Sequence, residues 1–153
     1  MRIAIAADHN GVALKAQLAS WLAGEGHQVD DRGTGSADRT VDYPPVCDDL
    51  CHEVTSGRAD RGIVVGGAGG GELIACNKLP GIRAALGYSE FTTGISRANN
   101  DSNVLVLGAK VTAPALAEAI TRAWLVTPFQ GGRHRQRLDM IAALERGERL
   151  RPG

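Results

Sequence analysis

The chain has 153 residues, 43% of them hydrophobic, enough for one domain around a single core. Its 17 Lys and Arg balance 17 Asp and Glu, and 4% aromatic content leaves little material for base stacking, so a nucleic-acid binder is not expected. Three cysteines form no disulfide framework, no apolar run nears the roughly 18 residues of a membrane span, and no signal precedes the first apolar run, so a soluble protein of the reducing cytoplasm is expected.

Arg2 to Ala7 reads as a strand, followed by the polar turn Asp8-His9-Asn10-Gly11 and a helix with Leu14, Leu18, Trp21 and Leu22 at helical spacing. Gly24 and Gly26 close that helix; His27 to Asp31 is a weak second strand, and Arg32 to Thr40 a loop. Asp42-Tyr43-Pro44-Pro45 opens a helix through about Val54, because proline fits a first turn where its missing N–H costs nothing. Ile63 to Val65 is a continuous apolar strand, as expected where both faces of a parallel sheet are covered. Beyond the glycine-rich stretch that follows, Ile82 to Leu86 is a fourth strand, Phe91 to Asn99 a helix and Val104 to Leu107 a fifth strand. Pro114 to Trp124 is a helix with Leu116, Ile120 and Trp124 on one face, and Arg133 to Arg146 a last helix with Leu138, Ile141 and Leu144 on one side. This alternation predicts an α/β fold, a parallel sheet with helices on both faces and right-handed crossovers, without internal repeat, linker or second domain.

In such sheets ligands bind beyond the carboxyl ends of the strands, which makes Asp8 to Asn10, the glycine loop and Lys110 to Thr112 converge. The loop reads GGAGGGELIACNK from Gly66 to Lys78. It fails the dinucleotide fingerprint in every register, and Glu72 stands where a Walker A motif needs lysine, so a nucleotide site is not expected. A plain flexible turn needs fewer than five glycines in six positions; an acid beside so many free backbone N–H groups points to proton chemistry on an anion. Residues 133 to 151 hold six arginines against Asp139, Glu145 and Glu148, which suits a small anionic ligand, a partner subunit or simply a solvated helix end. Cys47, Cys51 and His52 supply only three candidate ligands and no partner motif, so no metal site is expected there.

Over nearly its whole length the chain resembles the B-type ribose-5-phosphate isomerases and their relatives that isomerise galactose 6-phosphate. The motifs are Asp8-His9-Asn10-Gly11, Asp42-Tyr43-Pro44, the glycine loop, Pro80-Gly81-Ile82-Arg83-Ala84, Ser96-Arg97-Ala98-Asn99-Asn100-Asp101, Val106-Leu107-Gly108 and Gly132-Arg133-His134-Arg135-Gln136-Arg137. The resemblance implies a Rossmann-like three-layer α/β/α sandwich with a five-stranded parallel sheet, in one domain over residues 1–153. It also implies a homodimer or tetramer with active sites shared between subunits, the last helix, about 133–146, packing on a partner. One branch of the family places a cysteine base at the start of the loop and the other a glutamate at its end; with Gly66 and Glu72 at those places, this chain resembles the glutamate branch. Cys76 lies too late to be that base and reads as a small buried residue.

The implied reaction interconverts an aldose and a ketose phosphate, ribose 5-phosphate and ribulose 5-phosphate first, through an enediolate and with no cofactor. Glu72 is the implied base, the N–H groups of Gly67, Ala68, Gly69, Gly70 and Gly71 the implied anion hole, and Asp8 and His9 implied catalytic residues that contact the ring oxygen or hydroxyls, with ring opening of a pentose phosphate open to either. Asp8 alone also reads as a helix cap. Tyr43, Asn99, Asn100 and Lys110 are implied substrate contacts, Tyr43 reading equally as packing beside the prolines; Arg133, His134 and Arg137 are implied phosphate ligands. Two positions depart from the family: Ala68 stands where a serine or threonine is usual, and Asn99 where a histidine proposed for ring opening is common. They keep open a four-carbon ketose phosphate of the erythrulose 4-phosphate type, a hexose 6-phosphate, or a weakly active subunit or sugar-phosphate binding protein.

Overall fold

The structure, a computed structural model, describes residues 1–151. Five strands, β1 (Arg2–Ala7), β2 (Gln28–Gly33), β3 (Arg61–Gly66), β4 (Ala84–Leu86) and β5 (Val104–Gly108), form one sheet in the order β2-β1-β3-β5-β4, and every pair is parallel. Six helices accompany them: α1 (Val12–Gly24), α2 (Tyr43–Thr55), α3 (Gly70–Cys76), α4 (Glu90–Asn100), α5 (Pro114–Val126) and α6 (Arg133–Glu145). Because β2 lies on one side of β1 and β3 on the other, a crevice opens between the C-terminal ends of β1 and β3.

The apolar strands divide by the period of two that a pleat imposes. Ile3, Ile5, Ile63, Val65, Leu105 and Leu107 face Leu14, Leu18 and Leu22 of α1 and Ile120 and Trp124 of α5. Ala4, Ala6, Val64, Val104 and Val106 face Cys47, Leu50 and Cys51 of α2 and Cys76 of α3. The second face is built from smaller side chains, so its helices lie close; a Cβ on Gly62 would come within 2.6 Å of Leu50 Cδ2. Trp124 is fully buried, and its indole N–H donates to Ser102 Oγ at 2.8 Å.

Three sequence expectations shift. β2 runs two residues further than expected because it is an edge strand, held by main-chain pairing to β1 with only Val29 and Arg32 half-buried, so its hydrophobic pattern is weak. β4 starts at Ala84 because Ile82 turns back, donating to the Leu79 carbonyl at 3.1 Å, although its side chain stays in the core. On α5 the buried stripe is Ala117, Ile120, Thr121 and Trp124, and Leu116 is 39% exposed. Steps of four residues overshoot a turn by about 40° each, so Leu116 and Trp124 cannot share one narrow face.

Helix α6 crosses the edge of the sheet at which the strands begin. Its Glu145 accepts from the Gly81 N–H at 3.0 Å, and Leu138 is buried, but Ile141 and Leu144 line a cleft of about 620 Å³ against Ile82, Arg83 and Ala85. Among the described residues no helix is long and apolar enough to cross a membrane.

Gly11 starts α1 against the end of β3: a Cβ there would overlap the Val65 carbonyl oxygen and lie 2.9 Å from Val65 Cγ1. Gly11→Ala is therefore expected to lower the unfolding free energy by about 2 kcal/mol or more, read from the urea midpoint. The three cysteines are free and buried. Contact with the Cys76 thiol, then burial and the Glu72 and Asp8 carboxylates, push Cys47 well above an ordinary thiol, and Cys76 is raised as well. Thiolate is the reactive form, so a thiol reagent at about pH 8 is expected to find no fast-reacting cysteine in the folded protein and three after unfolding.

Candidate active site

The turn after β1 builds one wall of the crevice. Asp8 is 5% exposed, and its carboxylate accepts from the Asn10 N–H at 2.9 Å and from Asn10 Nδ2 at 2.9 Å, which fixes the turn locally. It does not cap α1, whose N-cap is Gly11 with no side-chain bond. His9 is partly exposed, its Nδ1 4.0 Å from Asp8 Oδ2 and accepting from the Val41 N–H at 3.4 Å. The chain entering α2 thus lies against the histidine ring. Asn10 Nδ2 stands 3.2 Å from His9 Nε2, and the Asn10 side chain passes 3.5 Å from the point where a Cβ on Gly67 would stand.

The glycine loop builds the facing wall. The chain beyond β5 clasps its start: the Ala109 N–H donates to the Gly66 carbonyl at 2.8 Å and the Lys110 N–H to that of Gly67 at 2.9 Å, which brings exposed Lys110 to the rim. Gly69 turns the chain into α3 at φ 85°, where an L side chain is strained, and a Cβ would also meet Leu86 Cδ1 at 2.7 Å. Exposed Ala68 and buried Gly69 have backbone N–H groups with no main-chain partner among the described residues. Tyr43, at the start of α2, covers Gly71; a Cβ there would lie 2.6 Å from Tyr43 Cζ and 2.8 Å from its Oη.

Glu72 lies in the first turn of α3 and is 5% exposed. Its carboxylate rests against Gly66, and the Cys47 thiol donates to its main-chain oxygen at 3.9 Å. Among the described residues no ion pair neutralises it. A buried carboxylate with no cation beside it, at the end of a loop with free N–H groups, can move a proton on a bound anion.

Asp8, His9, Tyr43, the residues from Gly67 to Glu72 and Lys110 are thus brought together. Asn99, Asn100, Arg133, His134 and Arg137 are not. The Asn103 side chain accepts from the Arg83 N–H, the Asn103 carbonyl accepts from Gly62, and the Ala98 carbonyl accepts from Gln130, all at the edge where β3, β4 and β5 begin. Asn99 and Asn100 end α4 at that edge, and Arg133 opens α6 three residues after Gln130. Five residues of β5 separate the two edges, roughly 16 Å at the rise of a parallel strand. Arg133 and Arg137 are exposed, whereas His134 is buried in its own chain. The cleft beside α6 also lies at this far edge, so concavity alone does not locate the chemistry.

Two contributors carry no role in the sequence reading. Asn10 holds Asp8 and lines the crevice, and an Asp two residues before an Asn-Gly pair is a turn signal that marks it. Cys47 lies under Glu72, and no sequence signal distinguishes it from an ordinary core cysteine.

The family described as Ribose/Galactose Isomerase matches residues 3–141. Ribose-5-phosphate isomerase B of Escherichia coli is 41% identical over 144 residues, 94% of this chain and 96% of that one. The enzyme of the same name from Mycolicibacterium paratuberculosis is 37% identical over 153 residues, covering 99% and 96%. Among solved structures, the Clostridium thermocellum ribose-5-phosphate isomerase B superposes with a TM-score of 0.94 at 43% identity, covering 96% of this chain and 99% of that one. The Mycoplasma genitalium enzyme with bound ribulose-5-phosphate does so at 0.90 and 34% identity, covering 95% and 96%. With the α/β fold, the five-stranded parallel sheet and the glycine loop at its switch point, these matches make the chain a member of the ribose/galactose isomerase family.

Proposed function

We propose that the chain interconverts ribose 5-phosphate and ribulose 5-phosphate, and that Glu72 is the base. The carrying observation is the buried Glu72 carboxylate, without a cationic partner among the described residues, at the end of a glycine loop in which the Ala68 and Gly69 N–H groups have no main-chain partner. Glu72 takes the proton from C2 of the aldose and returns it to C1, the O2 hydroxyl proton passes to O1, and the N–H groups of Gly67 to Gly71 hold the enediolate oxygen between the two transfers at carbon. Asp8 and His9 contact the ring oxygen and hydroxyls, Tyr43 a hydroxyl beside Gly71, and Lys110 the rim. The whole-length likeness to ribose-5-phosphate isomerases B, one of them solved with ribulose-5-phosphate, supports this substrate. Free thiols in the core fit a reducing cytoplasm.

Asn99, Asn100, Arg133, His134 and Arg137 reach such a site from a second copy of the chain, whose start-of-strand edge docks beside the first copy's end-of-strand edge. Exposed Phe91, Ile95 and Val126 on α4 and α5 offer an apolar surface for that pairing. In this arrangement Arg133 and Arg137, one turn apart on α6, fork onto the phosphate. A four-carbon acyclic substrate is the second reading, carried by Asn99, which exchanges no proton at neutral pH and so suits a sugar that needs no ring opening.

A panel of four-, five- and six-carbon sugar phosphates, assayed with a metal chelator present, is expected to show fastest turnover on the ribose 5-phosphate pair. Lack of solvent proton exchange at C1 or C2 on every member would remove the isomerase reading. Glu72→Gln is expected to lower kcat about a hundredfold or more while KM stays within about threefold. For the shared site, Glu72→Gln and Arg133→Ala/Arg137→Ala proteins, each nearly inactive, are expected to recover about a quarter of wild-type activity when mixed and re-associated, since half the dimers then carry one intact site. No recovery would place all site residues in one chain.

A further inference from the structure

We propose that Gly66 is a positioning residue, whose missing side chain leaves the volume that the Glu72 carboxylate occupies. The inference rests on Glu72 being the base. Gly66 ends β3, a buried strand whose preceding residues are Ile63, Val64 and Val65, so a β-branched residue would suit its propensity. Its backbone does not demand glycine, for unlike Gly69 it is not among the residues with positive φ. The three nearest atoms to a Cβ built on Gly66 all belong to the Glu72 carboxylate: it would overlap Oε1 and Cδ and stand 2.7 Å from Oε2.

The neighbouring glycines differ. A Cβ on Gly108 would meet the Ala68 main chain at 2.8 Å, and one on Gly69 the Leu86 and Val106 side chains at 2.7 and 3.2 Å. Those glycines shape the loop, whereas Gly66 makes room for one functional group. The backbone at Gly66 has little freedom to yield, because it pairs with Gly108 in the sheet and its carbonyl accepts from the Ala109 N–H at 2.8 Å. A side chain at 66 must therefore displace the carboxylate. Carbon and oxygen atoms settle about 3.5 Å apart, so the displacement is on the order of 1 Å, enough to cost about a hundredfold in a proton transfer that depends on position.

The test is a double-mutant cycle in kcat and KM. Gly66→Ala is expected to lower kcat at least about thirtyfold with KM within about threefold, and to change kcat less than about twofold when added to Glu72→Ala. A purely structural defect would lower both backgrounds alike. If Gly66→Ala misfolds, Gly66→Ala/Glu72→Ala lacks the clash and still reports: kcat and melting temperature equal to those of Glu72→Ala support the proposal, and a further loss in either overturns it. Gly66→Ala that keeps more than about a third of wild-type kcat also overturns it. The two readings separate cleanly, because Glu72→Ala with undiminished kcat removes Glu72 as base, whereas its loss alongside a fully active Gly66→Ala removes only the role of Gly66.

Discussion

The crevice depends on close approach to main chain that no Cβ blocks. Gly11 lets α1 begin directly on the Val65 carbonyl, Gly108 lets the chain after β5 lie against Ala68, and Gly71 lets the Tyr43 ring rest on α3. Each contact is shorter than any side chain would permit, and together they draw the ends of β1, β3 and β5 and the start of α2 into one small volume. Parallel strands end at the same edge, so the sheet supplies the coincidence and glycine removes the bulk that would keep the loops apart.

Charge is distributed along the strands in a way that follows from this geometry. Buried Asp8 and Glu72 sit where the strands end, whereas Arg83 and Arg97 converge on Asp101 where β4 and β5 begin, at 3.1 and 2.8 Å. Asp101 adopts a left-handed conformation, φ 47°, which turns the end of α4 into β5 and presents its carboxylate to both arginines. Arg83 and Arg97 lie a strand's length away, and Arg32, at the end of β2, is taken up by Asp30, Asp49 and Glu53, so none of them pairs with Glu72.

Much of the fold is legible in the sequence because its signals are local. Continuous apolar runs at Ile63 to Val65 and Val104 to Leu107 mark strands covered on both faces, and Pro44-Pro45 and Pro114 mark helix starts. Edge strands are fainter, because β2 relies on backbone pairing more than on buried side chains. Small residues mislead: Ala117 carries the buried stripe of α5 that a pattern of large side chains assigns to Leu116. At the site, Asp8, Glu72 and the glycines are visible as motifs. The contact of Glu72 with Gly66 is not, since six positions apart along a strand, loop and helix says nothing of distance in space.

Asn77 guards the outer edge of β4. At the end of α3 its side-chain amide donates to the Ala84 carbonyl at 3.0 Å and accepts from the Ala84 N–H at 2.9 Å, as the backbone of a further strand would. The same Nδ2 donates to the Leu73 carbonyl at 3.1 Å. The three-residue strand β4 is thereby closed toward the outside, and a foreign chain finds no pair of free backbone groups at Ala84 to grip. Only an amide can do this, because a carboxylate would set a negative oxygen against two carbonyls. Loss of that amide nitrogen would set a carboxylate against the Ala84 and Leu73 carbonyls and reopen the sheet edge at Ala84.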